Sequence, residues 1–315
     1  MKIIDVATYI NPELTGLDAL NERYQWGERN QKIFRRFLKL ESSCLFPDNT
    51  LPELLQTALQ SLLAGHKEKR SAIMYVIYAH SLHATYPFEM RLIEQWCHQH
   101  IGAHVESLSV TQGSCASSLL GIEFLQRVLD RKSAHEAPQY AILLTGDKCF
   151  HDTVQYVDQN GLFGEGCSAT LLTNDDNALG LTITSLAWNT LGAISHRTVS
   201  SSREQANAYD RAFIPIMTDT IEQALQAAQI EPQQVEAMLP YHMSPPTFDR
   251  LVDRLNIPRE RIYRKNLYCI GHCFCGDAFI NLHDYWRLEK QRRTGGPILC
   301  MAAGVAGTFS ALVLT

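Results

Sequence analysis

The stretch that decides the fold runs from His104 to Leu129 and reads HVESLSVTQGSCASSLLGIEFLQRVL. From Val105 to Val110 apolar and polar residues alternate, which is the period of a strand. Thr111, Gln112, Gly113 and Ser114 make a short polar turn, and Cys115 follows. Beyond it Leu119, Leu120, Ile122, Phe124, Leu125 and Val128 recur at helical spacing. The pattern places Cys115 where a strand ends and a helix begins. There the free N–H groups of the first turn and the helix dipole stabilise a thiolate. The same N–H groups suit the oxyanion that forms when a thiolate attacks a thioester carbonyl. A small buried thiol filling a gap in the core is the competing reading of the same residue.

Outward from this stretch, strands and helices alternate. Lys2–Tyr9 reads as a first strand, and the polar text from Leu17 to Lys39 is helical in flavour. A helix is expected over Leu51–Leu63, capped by Asn49 or Thr50. Ser71–Ala79 and Gln139–Thr145 are near-continuous apolar runs, as expected of strands buried on both faces. Between them lie a loop at His80–Tyr86 and a helix at Phe88–His100. Gly161–Leu172 is a glycine-rich turn leading into a strand. After the turn cluster Asn174–Asn177 the pattern repeats. Strands are expected at Leu181–Ala187, Val235–Pro240, Ile262–Leu267, Pro297–Ala303 and Thr308–Leu314. Helices are expected at Asp219–Ala228, Pro246–Leu255 and Phe274–Leu288.

Set side by side, IMYVIYAHS corresponds to VEAMLPYHMS and HVESLSVTQGSC to RIYRKNLYCIGHC, while QYAILLTGD corresponds to GPILCMAAG. This is an internal duplication with a period of about half the chain, far longer than solenoid repeats. It divides the chain into layered α/β halves at 1–174 and 175–315. The turn at Cys115 then has a counterpart at His272, and a pseudo-twofold axis would bring Cys115, His242 and His272 together.

Composition sets wide limits. The chain has 315 residues, 45% of them apolar and 19% charged, with a net charge of −5. It is long enough to bury a sizeable core, and no block of like charge points to nucleic acid or a membrane surface. Nine cysteines, an N-terminus unlike a signal peptide and no apolar run of spanning length fit reduced thiols in the cytoplasm.

These segments together resemble the thiolase superfamily, and within it the β-ketoacyl-ACP synthase III-like enzymes. SVTQGSCASSLLGIEF is similar to that family's nucleophile elbow, with Cys115 as the acyl-accepting thiol. LFGEGCSATLL resembles its glycine-rich segment, and LPYHMS supplies His242 where the family has a catalytic histidine. NLYCIGHCFCGDAF resembles the segment carrying the catalytic asparagine, here replaced by His272. AAGVAGTFSALVL resembles the glycine-rich end, whose N–H, at Gly304, would complete an oxyanion hole with that of Cys115. The resemblance implies an α/β thiolase fold of two pseudo-symmetric βαβαβαββ halves in five αβαβα layers. It implies a transferase that loads an acyl group from CoA or the phosphopantetheine of an acyl carrier protein onto Cys115. Transfer to a carbon, nitrogen or oxygen nucleophile would follow, with no permanently bound cofactor or metal.

His272 at the asparagine position, Met-Ser-Pro-Pro after His242 and the thinned terminal glycines point away from bulk fatty-acid synthesis toward specialised metabolism. Trp26, Arg35 and Arg36 are similar to the family's contacts with CoA, although a solvated helix face explains the arginines equally. Tyr86 stands where the family reaches into a neighbouring subunit, which implies a homodimer or a heterodimer with a thiolase-fold paralogue. A silent partner subunit and a thioester hydrolase are the competing functions. Metal binding by Cys269, His272, Cys273 and Cys275 is a competing reading of that segment, weakened by the lack of a second chelating arm.

Overall fold

The computed structural model describes residues 1–81, 91–130, 137–149, 156–157, 161–192, 203–288, 294–305 and 307–315. Nine strands form one continuous sheet. Their order is Ala237–Leu239, Ile298–Gly304, Thr308–Leu314, Leu181–Thr190, Lys2–Tyr9, Cys167–Thr173, Tyr140–Thr145, Ile73–Ala79 and Glu106–Val110. The two halves meet at a narrow seam, where only Lys2 and Ile3 pair with Thr182 and Leu181. On either side of the seam the pairing sequence is the same: antiparallel, antiparallel, then parallel. That repetition is the structural form of the duplicated sequence.

The helices sort into three layers because of where their apolar faces find partners. Ser117–Leu129 and Asp277–His283 bury Leu119, Ile122, Leu125, Ala278, Phe279 and Leu282 between the two halves of the sheet. Leu51–Gly65 and Leu92–His100 cover the outer face of the first half. Arg203–Ala228 and Pro245–Leu255 cover the outer face of the second. The result is the αβαβα layering expected. Strands such as Tyr140–Thr145 and Cys167–Thr173 lie between helical layers, and this explains their unbroken apolar text. Leu51–Gly65 starts at a capping box, in which Thr50 and Glu53 each bond the other's backbone N–H.

Two expectations are corrected. No strand forms over Ile262–Leu267; a single bridge joins Ile262 to Met238, and turns follow from Lys265 to Ile270. The polar Arg264-Lys265-Asn266 supplies the reason, since Asn266 turns inward to bond Asn281 and Asp284 instead of lying in a ladder. The second half therefore lacks an equivalent of the edge strand Glu106–Val110. The helix expected from Asp219 begins at Arg203, and Pro215 lies inside it. A proline there reads as a stop in sequence, but contacts of Phe213, Met217 and Ile221 with the second-half core carry the helix through it.

Glu236, at the edge of the second half, accepts hydrogen bonds from Tyr285, from the backbone N–H and hydroxyl of Thr294 and from the N–H of Gly296. Burial alone would raise its pKa, but these donors hold it below the ordinary 4.5. A depressed value stabilises the fold above the ordinary value, and that contribution is lost as pH falls through the folded one. Glu236→Gln is expected to cost about 2 kcal/mol near neutral pH, as charge-assisted bonds are lost, and much less in acid. Urea midpoints at both conditions test this, and an equal cost in each would refute it.

Candidate active site

Cys115 sits on a turn that resists relaxation. Ser114 holds a left-handed backbone, with φ of 51°, as the first residue of the short 3-10 turn Ser114–Ala116 that feeds the helix Ser117–Leu129. Phe274 does the same in the second half, with φ of 54°, as the first residue of Phe274–Gly276, which feeds the helix Asp277–His283. The counterpart of Cys115 is therefore Cys275, and not His272 as the sequence alignment of the halves suggested. Gly304 packs directly against the nucleophile turn. A Cβ there would lie 2.1 Å from the carbonyl oxygen of Gly113, so only glycine fits.

Cys115 Sγ lies 3.2 Å from Nε2 of His272 and 3.2 Å from Oγ of Ser81, which donates to it. The thiol of Cys275 points at the carbonyl of Ser114, 3.2 Å away, so the hydroxyl proton of Ser81 is free for Cys115. The glycine-rich segment fixes His272 in place. The N–H of His272 donates to the carbonyl of Leu162 at 2.7 Å, and that of Gly164 donates to the carbonyl of His272 at 2.9 Å. Gly164 admits no side chain, because a Cβ would lie 2.1 Å from the carbonyl of Ile270. The rings of Phe163, Phe274 and Tyr241 surround the imidazole at centroid distances of 5.5, 5.7 and 6.1 Å.

Nδ1 of His272 hydrogen-bonds Oδ2 of Asp277. The same carboxylate accepts the backbone N–H of His242 at 2.6 Å and of Cys273 at 2.7 Å. Cys115, His272 and Asp277 thus form one hydrogen-bonded chain. Burial would lower the pKa of His272, but the charge of Asp277, the sulfur of Cys115 and its bonds to both raise it to about 10. Burial would likewise raise Asp277, yet the two histidines hold it well below the usual carboxylate range. Asp277 was not singled out from sequence. In GHCFCGDAF it reads as an ordinary acidic residue complementing the first turn of a helix.

The other expected site residues fall elsewhere. His242 does not share the pocket with Cys115, contrary to expectation. A cavity of about 400 Å³ opens on Cys115, Ser81 and His272 and is lined by Tyr241 and Met243 to either side of His242, whose ring turns inward. Trp26 is buried and packs edge-on against Phe34, with ring centroids 4.9 Å apart, so its face is not offered to an adenine. The difference follows from the apolar cluster of Leu17, Leu20, Phe34 and Leu38 that closes over it. Arg35 pairs with Asp18, and Arg36 is exposed on the same short helical segment. Tyr86 lies outside the described residues. Cys269, His272, Cys273 and Cys275 do not converge: their side chains go respectively to Lys265, to Cys115 and Asp277, to Gly166 and to Ser114.

Comparison with known proteins agrees with this architecture. Residues 225–315 match the family of the 3-oxoacyl-[acyl-carrier-protein] synthase III C-terminal region. The β-ketoacyl-[acyl-carrier-protein] synthase III of Aquifex aeolicus (strain VF5) is 24% identical over 177 residues, 55% of this chain and 57% of the relative's own length. The alignment thus spans little more than half of that enzyme. Among solved structures, ChlB3, described as an acyltransferase, superposes with a TM-score of 0.83 at 15% identity, covering 100% of this chain and 97% of its own. The Aquifex aeolicus VF5 3-oxoacyl-[acyl-carrier-protein] synthase III gives 0.79 at 16% identity, with 99% of each chain covered. AbyA1, a tetronic acid condensing enzyme, gives 0.77 at 16% identity, again covering 99% of each chain. The chain thus has the thiolase fold of the β-ketoacyl-ACP synthase III-like enzymes, and its C-terminal part is similar to theirs in sequence. That group comprises condensing enzymes and acyltransferases.

Proposed function

We propose that this protein is a Cys-His-Asp acyltransferase that passes an acyl group from a thioester donor to a hydroxyl or amine acceptor. The carrying observation is the hydrogen-bonded chain from Cys115 through His272 to Asp277 at the end of a cavity. In the resting site the thiolate of Cys115 faces the imidazolium of His272, with Ser81 as a second donor. Attack on the thioester carbonyl forms the S–C bond, and the N–H groups of Cys115 and Gly304 receive the oxyanion. The donor's C–S bond then breaks, and Nε2 of His272 gives its proton to the departing thiol. Now neutral, His272 takes the acceptor's proton as the acceptor attacks the acyl-enzyme. Collapse releases the product ester or amide and restores the ion pair. Asp277 keeps the proton on Nδ1 throughout, so that Nε2 does the exchange.

A decarboxylating synthase of the type the sequence resembles uses two groups, histidine and asparagine, to receive an enolate. Here the histidine is turned inward and the asparagine position is the base itself, which favours an acceptor that brings its own transferable proton. The acyl donor is a CoA or carrier-protein thioester, and a setting in specialised metabolism accords with the altered third residue. Halves at 1–174 and 175–315 and assembly as a dimer with itself or a thiolase-fold paralogue belong to the same proposal, on the resemblance. No helix among the described residues is long and apolar enough to cross a membrane.

Intact-protein mass spectrometry after incubation with acyl-CoA and acyl-carrier-protein donors tests the reading, with Cys115→Ala beside the wild type. An adduct confined to the wild type and discharged by added amines or alcohols is expected. Release of carbon dioxide from malonyl thioesters would move the assignment to condensation. Rapid loss of the adduct to water alone would indicate a thioester hydrolase. A blank with both donor classes would indicate a silent partner subunit.

A further inference from the structure

We infer that His242 is a fixed imidazolium that acts as a positioning residue, holding Asp277 ionised and aimed at His272. The inference deepens the acyl-transfer reading and rests on it for its meaning, though not for its evidence. Nε2 of His242 lies 2.9 Å from Oδ1 of Asn281. The orientation of that amide is set independently, because Nδ2 of Asn281 donates to the carbonyl of Pro240 at 2.7 Å and Nδ2 of Asn266 donates to Oδ1 at 3.2 Å. An oxygen therefore faces Nε2, which must carry a proton. Nδ1 lies 2.9 Å from the carbonyl oxygen of Gly271 and 3.1 Å from Oδ1 of Asp277, both acceptors, so it too carries a proton. A ring that is fully buried, with acceptors at both nitrogens, is a cation. Removing the Nε2 proton would leave one buried oxygen acceptor facing a lone pair, and removing the Nδ1 proton would leave two.

The surroundings give this cation one function. Asp277 is the carboxylate beside it, and the side chain of His242 is fully buried. The other titratable groups packed here are neutral or already paired. Burial pushes the Tyr241 hydroxyl and the Cys273 thiol well up. Asp284 is reached only through Asn266 and is itself paired with Lys265 and His283. Cys115 lies beyond His272, on the far side of Asp277. His242 thus neutralises a carboxylate whose other partner, His272, changes charge in every catalytic cycle. Without it, Asp277 would be a buried anion unpaired each time His272 gives up its proton, and it would take one up instead. The direction of the His242 pKa agrees: burial lowers it, and Asp277 with the bonds from Asn281 and Gly271 brings it to a net rise.

The test has two arms. In the wild-type protein, nitrogen-15 NMR of labelled histidine is expected to show both ring nitrogens of His242 still protonated above the pH at which an ordinary histidine loses its second ring proton. A bare ring nitrogen at neutral pH would overturn the inference. In His242→Gln, the rate of Cys115 alkylation by iodoacetamide is followed against pH. The rate is expected to fall roughly tenfold in mild acid, with little change in mild alkali. A uniform loss at all pH values would mean mere packing damage and would refute the positioning role. If that variant does not fold, the NMR arm decides. The NMR readout is also independent of acyl chemistry, so failure of Cys115 to acylate would remove the proposed function and leave this result standing.

Discussion

Exchanging His272 for asparagine is expected to leave a folded protein whose Cys115 acylates about 10^3-fold more slowly. Folding survives because Asp277 keeps the imidazolium of His242 and two backbone N–H donors after His272 is gone. An asparagine amide still reaches toward the sulfur, but it cannot receive a proton at any working pH, so both the leaving thiol and the acceptor lose their proton carrier. The substitution has a second use. It restores the residue type of the synthase III pattern at the position where this chain departs from it. If decarboxylative condensation were the native chemistry, asparagine should be tolerated there or should improve release of carbon dioxide from malonyl thioesters. Time courses of adduct formation by intact mass, with a melting curve at each step, separate the two. A drop below about tenfold would show that His272 is not the base.

The layers, their order and the duplication were legible because they follow from periodicity and from unbroken apolar runs, which report burial directly. Cys115 was legible because a strand, a polar turn and a helix meet in contiguous sequence. What escaped was set by the direction a side chain takes at a strand end. His242 follows the end of the strand Ala237–Leu239 and His272 follows a turn, and nothing in LPYHMS says that the ring points at Asn281 and Gly271 rather than at the cavity. Asp277 escaped because its partners are backbone N–H groups and two histidines, gathered where Phe274 takes a left-handed backbone, a conformation that phenylalanine does not advertise. Trp26 misled for the opposite reason. An aromatic beside arginines reads as a stacking platform, whereas its apolar neighbours at Leu17, Leu20 and Phe34 are spread over two short helical segments and only fold over it in three dimensions.

Asp277→Asn should be the more damaging change, because it breaks catalysis and the charge balance of the core together. The carboxylate accepts from four directions: Nδ1 of His272, the backbone N–H and Nδ1 of His242, and the N–H of Cys273. An amide has one oxygen, so its NH2 must face at least one donor. Turned toward His272, it forces a bare Nδ1 and moves the remaining proton to Nε2, the tautomer that cannot accept a proton from Cys115 or the acceptor. Loss of the orienting carboxylate from triads of this kind costs of order 10^4-fold in turnover, and that is the fall expected here. The change also leaves the His242 cation buried without its counter-ion, which costs about 3–5 kcal/mol. The pH dependence gives a signature beyond simple loss. The folded-state pKa of His272, about 10, lies above its ordinary 6.5, so its stabilising charge is fully present below pH 6.5 and disappears as pH climbs toward 10. Asp277, held below its ordinary 3.8, contributes above that value and is lost only in stronger acid. Wild-type urea midpoints should therefore decline between about pH 6.5 and about pH 10, and the variant should be less stable at the start of that range with a flatter decline across it. An unchanged slope would mean that Asp277 is not what charges His272, and the hydrogen-bonded chain from Cys115 would then have to be read as packing.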